Sequence, residues 1–408
     1  MSPIVIVGTG LAGYTVAREF RKLDTTTPLR LVSRDDASFY SKPVLSNAYA
    51  QKKGADQIAL NTARDMGAQL HAVISPNCRV TGIDPAGHVL QIGDEAVAYS
   101  RLVLAIGADP IRVPLEGDAA HAVLSVNDLA DYARFRAAAV AARRVAVMGA
   151  GLIGCEFAND LRGAGMDVDV IDPAPQVLGR LLPPQAAAFL RAALESIGVR
   201  FYFGTTVKSV ARGAANLADG IVNEASFTRA ARQGWRACGF DLTLTDGTQL
   251  PADVVLSAIG LKPRVELGAN AGLAVRRGIV TDGFLKTSAP DIYALGDCAD
   301  VAGHNLPFVM PIMQAARALA KTLSGAPTAV LYPAMPVVVK TPACPTVVCP
   351  PPPGVEGKWQ ENTAADGVRA LFHDQAGTLR GFALVGAATK DKQALAKEIP
   401  PLLGEQPA

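Results

Sequence analysis

Two short glycine runs carry the first chemistry that can be read from this chain: Gly8-Thr9-Gly10-Leu11-Ala12-Gly13 and Gly149-Ala150-Gly151-Leu152-Ile153-Gly154. Both have the spacing G-x-G-x-x-G. The first glycine allows a tight turn, the second lets the backbone approach a pyrophosphate, and the third lets a helix press against a strand. The chemistry on offer is anion binding by backbone N–H groups at a helix start. A chain with two such runs is expected to hold dinucleotides at two places.

The flanking elements support this. Ile4 to Val7 reads as a buried parallel strand, Tyr14 to Lys22 has helical spacing, and Leu29 to Val32 completes a βαβ unit. Around the second run the strands are Val145 to Met148 and Val168 to Ile171, and Asp172 ends the latter, 18 residues past Gly154. A carboxylate there accepts both ribose hydroxyls of NAD and repels a 2′-phosphate, and no arginine immediately follows, so NADH is expected over NADPH. The competing reading of Asp172 is a turn aspartate before Pro173. The first unit departs from the pattern, with Ser33-Arg34-Asp35-Asp36 where the acid should stand. Ser33 and Arg34 offer the adenosine moiety a backbone contact and a guanidinium. Asp35 or Asp36 reads equally well as a turn carboxylate, which leaves the ribose contact open.

Further on, Thr287-Ser-Ala-Pro-Asp-Ile-Tyr-Ala-Leu-Gly-Asp297 places an aspartate at a strand mouth, ahead of a helix expected over Pro311 to Leu323. Asp297 could accept hydrogen bonds from flavin ribityl hydroxyls. Pro311 suits a first helical position, and the positive helix end points at whatever lies beside Met310, which favours a reduced flavin anion.

Composition narrows the alternatives. At 408 residues the chain should form two or three domains, and its formal charge of +2, without a long basic run, argues against nucleic-acid binding. The six cysteines are dispersed with no CxxC, and the five histidines show no ligand spacing, so neither a disulfide framework nor a metal site is expected. No apolar stretch has bilayer length and IVIV lacks signal-peptide flanks, so we expect a cytoplasmic protein off the membrane. A monomer is the first expectation for its assembly, a homodimer the second.

Taken together, GTGLAGY (8–14), FYSKPVLS (39–46), LVLAIGADPIRVP (102–114), GAGLIGCEFANDL (149–161), VVLSAIGLKPR (254–264), IYALGDCA (292–299), FVMP (308–311) and VKTPACP (339–345) resemble the two-dinucleotide-binding flavoprotein reductases. The similarity is closest to the branch whose electron acceptor is rubredoxin. The resemblance implies an α/β fold of two Rossmann-like domains: an FAD domain split over residues 1–113 and 259–324, with an NAD domain, 114–258, inserted in it. A small α+β C-terminal domain, 325–408, follows. Residues 335–340, 346–349, 368–373 and 379–385 have strand character, and 390–403 could include a helix.

In that frame one cradle holds FAD and the other presents NADH, with nicotinamide C4 stacked on flavin N5 for direct hydride transfer. The resemblance puts Lys42 and Glu156 in an ion pair near N5, makes Val80, Val309 and Lys340 flavin neighbours, and places Gly260 at the NAD site. Taken singly, Lys42 also reads as a solvated loop lysine, and Glu156 as a first-turn carboxylate facing its helix dipole.

Residues 38–50 contain no cysteine, which argues against the disulfide reductases and cysteine-based oxidases of the same family. Cys344 and Cys349 would point to opposite faces of a strand. The implied acceptor is therefore a one-electron carrier, rubredoxin, feeding a process such as alkane hydroxylation. A [2Fe-2S] ferredoxin is the alternative, and a non-catalytic NADH-switched flavoprotein the third reading. Rubredoxins are acidic, so a basic rim is expected around the flavin edge. Residues 212–239 read as an insertion in the NAD domain that could be helical over 224–233; a surface loop is the first reading and a partner contact around Trp235 the alternative.

Overall fold

The computed structural model describes residues 2–213 and 239–404. The expected insertion therefore falls, for residues 214–238, outside the described residues, Trp235 included.

The first unit opens with β1 (Ile4–Val7), buried at every residue, as a parallel strand covered on both faces must be. There follow α1 (Leu11–Arg21), β2 (Leu29–Val32), the short helices α2 (Ala55–Ile58) and α3 (Ala63–Leu70), and β3 (Val73–Ser75). An antiparallel meander of β4 (Val80–Asp84), β5 (Val89–Ile92) and β6 (Glu95–Ala98) leads into β7 (Arg101–Leu104). The parallel strands lie in the order β3-β2-β1-β7.

After β8 (Ala108–Pro110) and α4 (Leu129–Ala139) the plan repeats: β9 (Arg144–Met148), α5 (Leu152–Gly163), β10 (Asp167–Asp172), α6 (Pro184–Ser196) and β11 (Val199–Phe203). A second meander, β12 (Val207–Arg212), β13 (Phe240–Leu244) and β14 (Gln249–Ala252), leads into β15 (Val254–Ser257). The order β11-β10-β9-β15 matches that of the first unit, strand for strand. Arg212 pairs with Phe240, and the Gly213 N–H donates to the Gly239 carbonyl at 2.8 Å, so the chain leaves and re-enters the second unit at adjacent points.

The return path closes the first sheet. β16 (Leu261–Pro263) pairs antiparallel with β8 at the crossing between units. Beyond α7 (Glu266–Asn270) and β17 (Ile279–Thr281), β18 (Ile292–Ala294) adds in parallel beside β7, and β19 (Ala299–Val301) pairs with β17. Then α8 (Val309–Leu323) packs on α1. Thus α8 begins two residues before Pro311, which occupies the third helical position. A proline is tolerated there because the first four helical N–H groups lack intrahelical partners.

The C-terminal sheet runs β20 (Val337–Val339), β21 (Thr346–Cys349), β22 (Gly357–Ala364), β23 (Gly367–Asp374) and β24 (Leu379–Gly386), in the spatial order β20-β21-β24-β23-β22. Alternation sends Val348, Ala383 and Val385 into one apolar cluster with Val145, Phe157 and Leu190 of the second unit. Val347, Cys349, Phe382 and Leu384 face the other way, onto Leu395 of α9 (Lys392–Glu398) and onto Ile399. Pro400 and Pro401 stop this helix well short of residue 403. This small domain is therefore seated on the second unit by a shared core.

Candidate functional site

Both glycine turns have the same geometry. Gly8 and Gly149 adopt φ of 109° and 104°, and a Cβ on Gly13 or Gly154 would lie 1.9 or 1.8 Å from the carbonyl oxygen of Gly8 or Gly149. These glycines are demanded by the closeness of helix to strand. Gly10 and Gly151 are different: a Cβ on either meets no atom within 4 Å. They cap α1 and α5 with no side-chain bond and no acid in the first helical turn. Backbone N–H groups at both helix starts are thus left to a ligand, and the open space beside the central glycine is where a pyrophosphate fits. Thr9, Leu11 and Ala12 complete the first turn; Leu152 and the exposed Ile153 complete the second.

The second-strand ends differ. Asp172 Oδ2 accepts the Ala150 N–H at 2.6 Å and Oδ1 accepts the Ala174 N–H at 2.7 Å, which fixes the carboxylate beside the second cradle. Ser33 is buried and its hydroxyl accepts the Thr9 hydroxyl at 2.6 Å. The Arg34 guanidinium lies 3.4 Å from Asp109, which also binds Arg264. Hydrogen bonding by Arg264, with Arg34 adding to it, holds the Asp109 carboxyl below the usual range.

Around the first cradle, Asp297 sits in a short turn, Gly296–Cys298, directly after β18. Lys42 opens another, Lys42–Ser46, and its Nζ lies 3.8 Å from Asp297 Oδ2. Burial lowers the Lys42 ammonium pKa, and Asp297 opposes that shift. Val80 starts β4, and Val309 is the first residue of α8, exposed together with Met310. Gly260 precedes β16 at φ 118°, its carbonyl taking the Ile111 N–H at 3.0 Å.

The expected Lys42–Glu156 pair is replaced by another. Glu156, 4% exposed, takes Lys340 instead: the Lys340 ammonium bonds its Oε2 at 2.5 Å, and the Lys340 backbone N–H bonds Oε1 at 2.9 Å. The same ammonium donates to the Pro43 carbonyl at 2.5 Å and to Ser46 Oγ at 2.7 Å, while the Ser46 hydroxyl donates to Glu156 at 2.5 Å. With three donors and three acceptors, the Lys340 ammonium is fully engaged by Pro43, Ser46 and Glu156. In a 3₁₀ turn, residues four apart face different sides, so Ser46 meets Glu156 while Lys42 turns to Asp297. Glu156 is also the fifth residue of α5 and so lies beyond the first turn, with no part in capping its dipole.

Sequence reasoning missed the rest of this joint. Asn159 Oδ1 accepts the Ala343 N–H at 3.0 Å, and Asp160 Oδ2 accepts the Tyr49 N–H at 2.9 Å. Burial pushes the Asp160 carboxyl up to about 6, against the opposing pull of the Tyr49 and Ala50 N–H groups. The signal was the spacing of Glu156, Asn159 and Asp160, which puts three polar groups on one face of the helix. That face ties the 43–50 segment to 340–343.

Among the described residues there is no disulfide, no group of side chains able to hold a metal, and no helix long and apolar enough to cross a membrane. Cys344 and Cys349 lie in separate clusters on opposite faces of the C-terminal sheet. Burial pushes Cys155 up to about 12 and Cys298 up to about 11, so neither is a ready nucleophile.

A family model described as pyridine nucleotide-disulphide oxidoreductase matches residues 2–330, and one described as rubredoxin binding C-terminal domain matches 329–399. The chain is 47% identical to the rubredoxin-NAD(+) reductase of Alcanivorax borkumensis over 99% of this chain and 100% of that one. It is 46% identical to the protein of the same name from Acinetobacter baylyi over 100% of both. Among solved structures it resembles the ferredoxin reductase for the CYP199A2 system from Rhodopseudomonas palustris, with a TM-score of 0.82 and 25% identity over 98% of this chain and 95% of that one. Matched from end to end, the chain belongs to the pyridine nucleotide-disulphide oxidoreductase family, in the branch that carries a rubredoxin-binding C-terminal domain.

Proposed function

We propose that the chain is an FAD-dependent NADH:rubredoxin oxidoreductase. The reading is carried by one observation: a rubredoxin-binding domain, matched at 329–399, shares a core with a cradle unit whose twin lies in the same chain. When bound, FAD supplies the chemistry that converts a two-electron donor into a source of single electrons. The residues do the positioning. Backbone N–H groups of residues 8–13 hold the FAD pyrophosphate, Asp297 receives the ribityl hydroxyls, and Lys42 sets a positive charge beside them. Residues 149–154 hold the NADH pyrophosphate, Asp172 takes its ribose, and Gly260 lets the chain lie flat against it. Glu156 and Lys340 keep the Lys42 turn, the NADH unit and the C-terminal domain in one arrangement, so that donor and acceptor sides meet a fixed site.

In this reading residues 1–113 and 259–324 form the FAD domain, 114–258 the NAD domain and 325–408 the acceptor domain. A cytoplasmic location suits it, since the five described cysteines are all unpaired thiols. The test is to record the visible spectrum of the purified protein and follow anaerobic NADH oxidation with rubredoxin, then with a [2Fe-2S] ferredoxin. We expect a yellow protein that NADH bleaches, with turnover that depends on rubredoxin. A colourless protein that takes up no FAD, or one that serves ferredoxin as well as rubredoxin, refutes the reading. Because an acidic carrier is steered by opposite charge, kcat/KM for rubredoxin should fall as ionic strength rises.

A further inference from the structure

The two cradle units differ at one position at the end of the second strand. Val7 faces Val32 in the first and Met148 faces Ile171 in the second, so Ser33 and Asp172 stand at equivalent positions. Each bonds to the residue between the first two glycines: Thr9 Oγ1 donates to Ser33, and the Ala150 N–H donates to Asp172. A hydroxyl cannot replace a carboxylate as a charged acceptor for two neighbouring ribose hydroxyls.

The charge stands two residues further on. Ser33, having accepted from Thr9, donates its own hydroxyl to Asp35 Oδ1 at 2.5 Å, and the same oxygen accepts the Ala37 N–H at 3.0 Å. Asp172 closes the same kind of turn on Ala174, two residues past itself. The Ser33–Asp35 segment is pinned to the next strand connection, with the Asn77 and Cys78 N–H groups donating to the Asp35 and Ser33 carbonyls at 2.7 Å each. Both side-chain bonds of Asp35 fall on Oδ1, and the residue is exposed at the surface. Of the two aspartates, it is Asp35 that bonds Ser33, the counterpart of Asp172. Asp36 spends one oxygen on the Ser38 N–H at 3.0 Å and the other on the Ser38 hydroxyl at 2.9 Å, and Arg34 is turned to Asp109.

We propose that Asp35, held in place by Ser33, is the carboxylate that receives the adenosine ribose hydroxyls of FAD. The proposal rests on reading the first cradle as the FAD site. It assigns the hydrogen-bond chain Thr9 to Ser33 to Asp35 the task that Asp172 performs alone in the second unit.

The test uses flavin-free protein titrated with FAD and with an FAD whose adenosine ribose lacks its 2′- and 3′-hydroxyls, followed by quenching of flavin fluorescence. The wild type should bind the deoxygenated flavin about tenfold or more weakly, the usual effect of losing a bond to a charged group. Asp35→Asn should lose about the same factor for FAD and treat the two flavins nearly alike. Ser33→Ala should fall between, and Asp36→Asn should match the wild type. If Asp35→Asn still separates the two flavins as the wild type does, the assignment is overturned. If it weakens both equally while keeping the gap between them, Asp35 is only a support for the loop, which also overturns it. A wild type that binds neither flavin removes the first-cradle reading itself, an outcome distinct from both.

Discussion

Replacing Lys340 by methionine tests the joint between the units directly. The variant keeps the stem of the side chain and removes an ammonium that bonds Glu156, Ser46 and the Pro43 carbonyl at once. Glu156, only 5% exposed at its side chain, is left with the Ser46 hydroxyl and one backbone N–H. Breaking a buried ion pair from one side costs about 3–5 kcal/mol, because the remaining charge stays desolvated. That is a large part of the roughly 5–15 kcal/mol that holds a typical domain together, so the variant should fold but with a much lower urea midpoint. Adding Glu156→Gln to Lys340→Met removes the stranded charge and should recover a good part of the loss. Denaturation of wild type, both single variants and the double variant closes the cycle. If Lys340→Met lies within about 1 kcal/mol of wild type, or the double variant is as weak as the sum of the singles, the pair does not couple the units as described.

Asp172→Ala should raise KM for NADH about 10–100-fold, the range for losing a hydrogen bond to a charged acceptor, with flavin content unaltered; stopped-flow reduction by NADH measures it. Gly151→Ala and Gly154→Ala should part ways. The first places its Cβ in open space and should keep stability within about 1 kcal/mol of wild type while weakening NADH, whereas the second drives a methyl onto the Gly149 carbonyl and should unfold the unit. Asp160 predicts a pH effect. Its folded pKa of about 6 lies above the ordinary carboxyl value of 3.8, so the folded state binds the extra proton and stability falls as pH rises from about 4 to about 6. The two-unit gap sets an upper limit of about 3 kcal/mol on that fall, and Asp160→Asn, which keeps one acceptor for the Tyr49 N–H, should lack it in urea titrations across that range.

What could be read before the structure was local and apolar. The strands over Ile4–Val7 and Leu29–Val32 lie where short runs of buried residues, bounded by turn formers, place them. The glycine turns were legible because a bare backbone is required where helix and strand nearly touch. Strand β22, GKWQENTA, escaped notice since an edge strand pairs on one side only and keeps a polar, exposed surface with no alternation to read. The lysine opposite Glu156 was misassigned for a different reason. Glu156 and Lys340 are 184 positions apart, and no periodicity reports a contact of that span. Resemblance supplied a lysine at the right loop, but the choice between Lys42 and Lys340 is made by the phase of a 3₁₀ turn and by Asp297, which draws Lys42 to the other side. The consequence is functional. Because the C-terminal domain contributes the cation, it and the Lys42–Ser46 turn cannot shift independently, and a change at either should be felt at the other through Glu156.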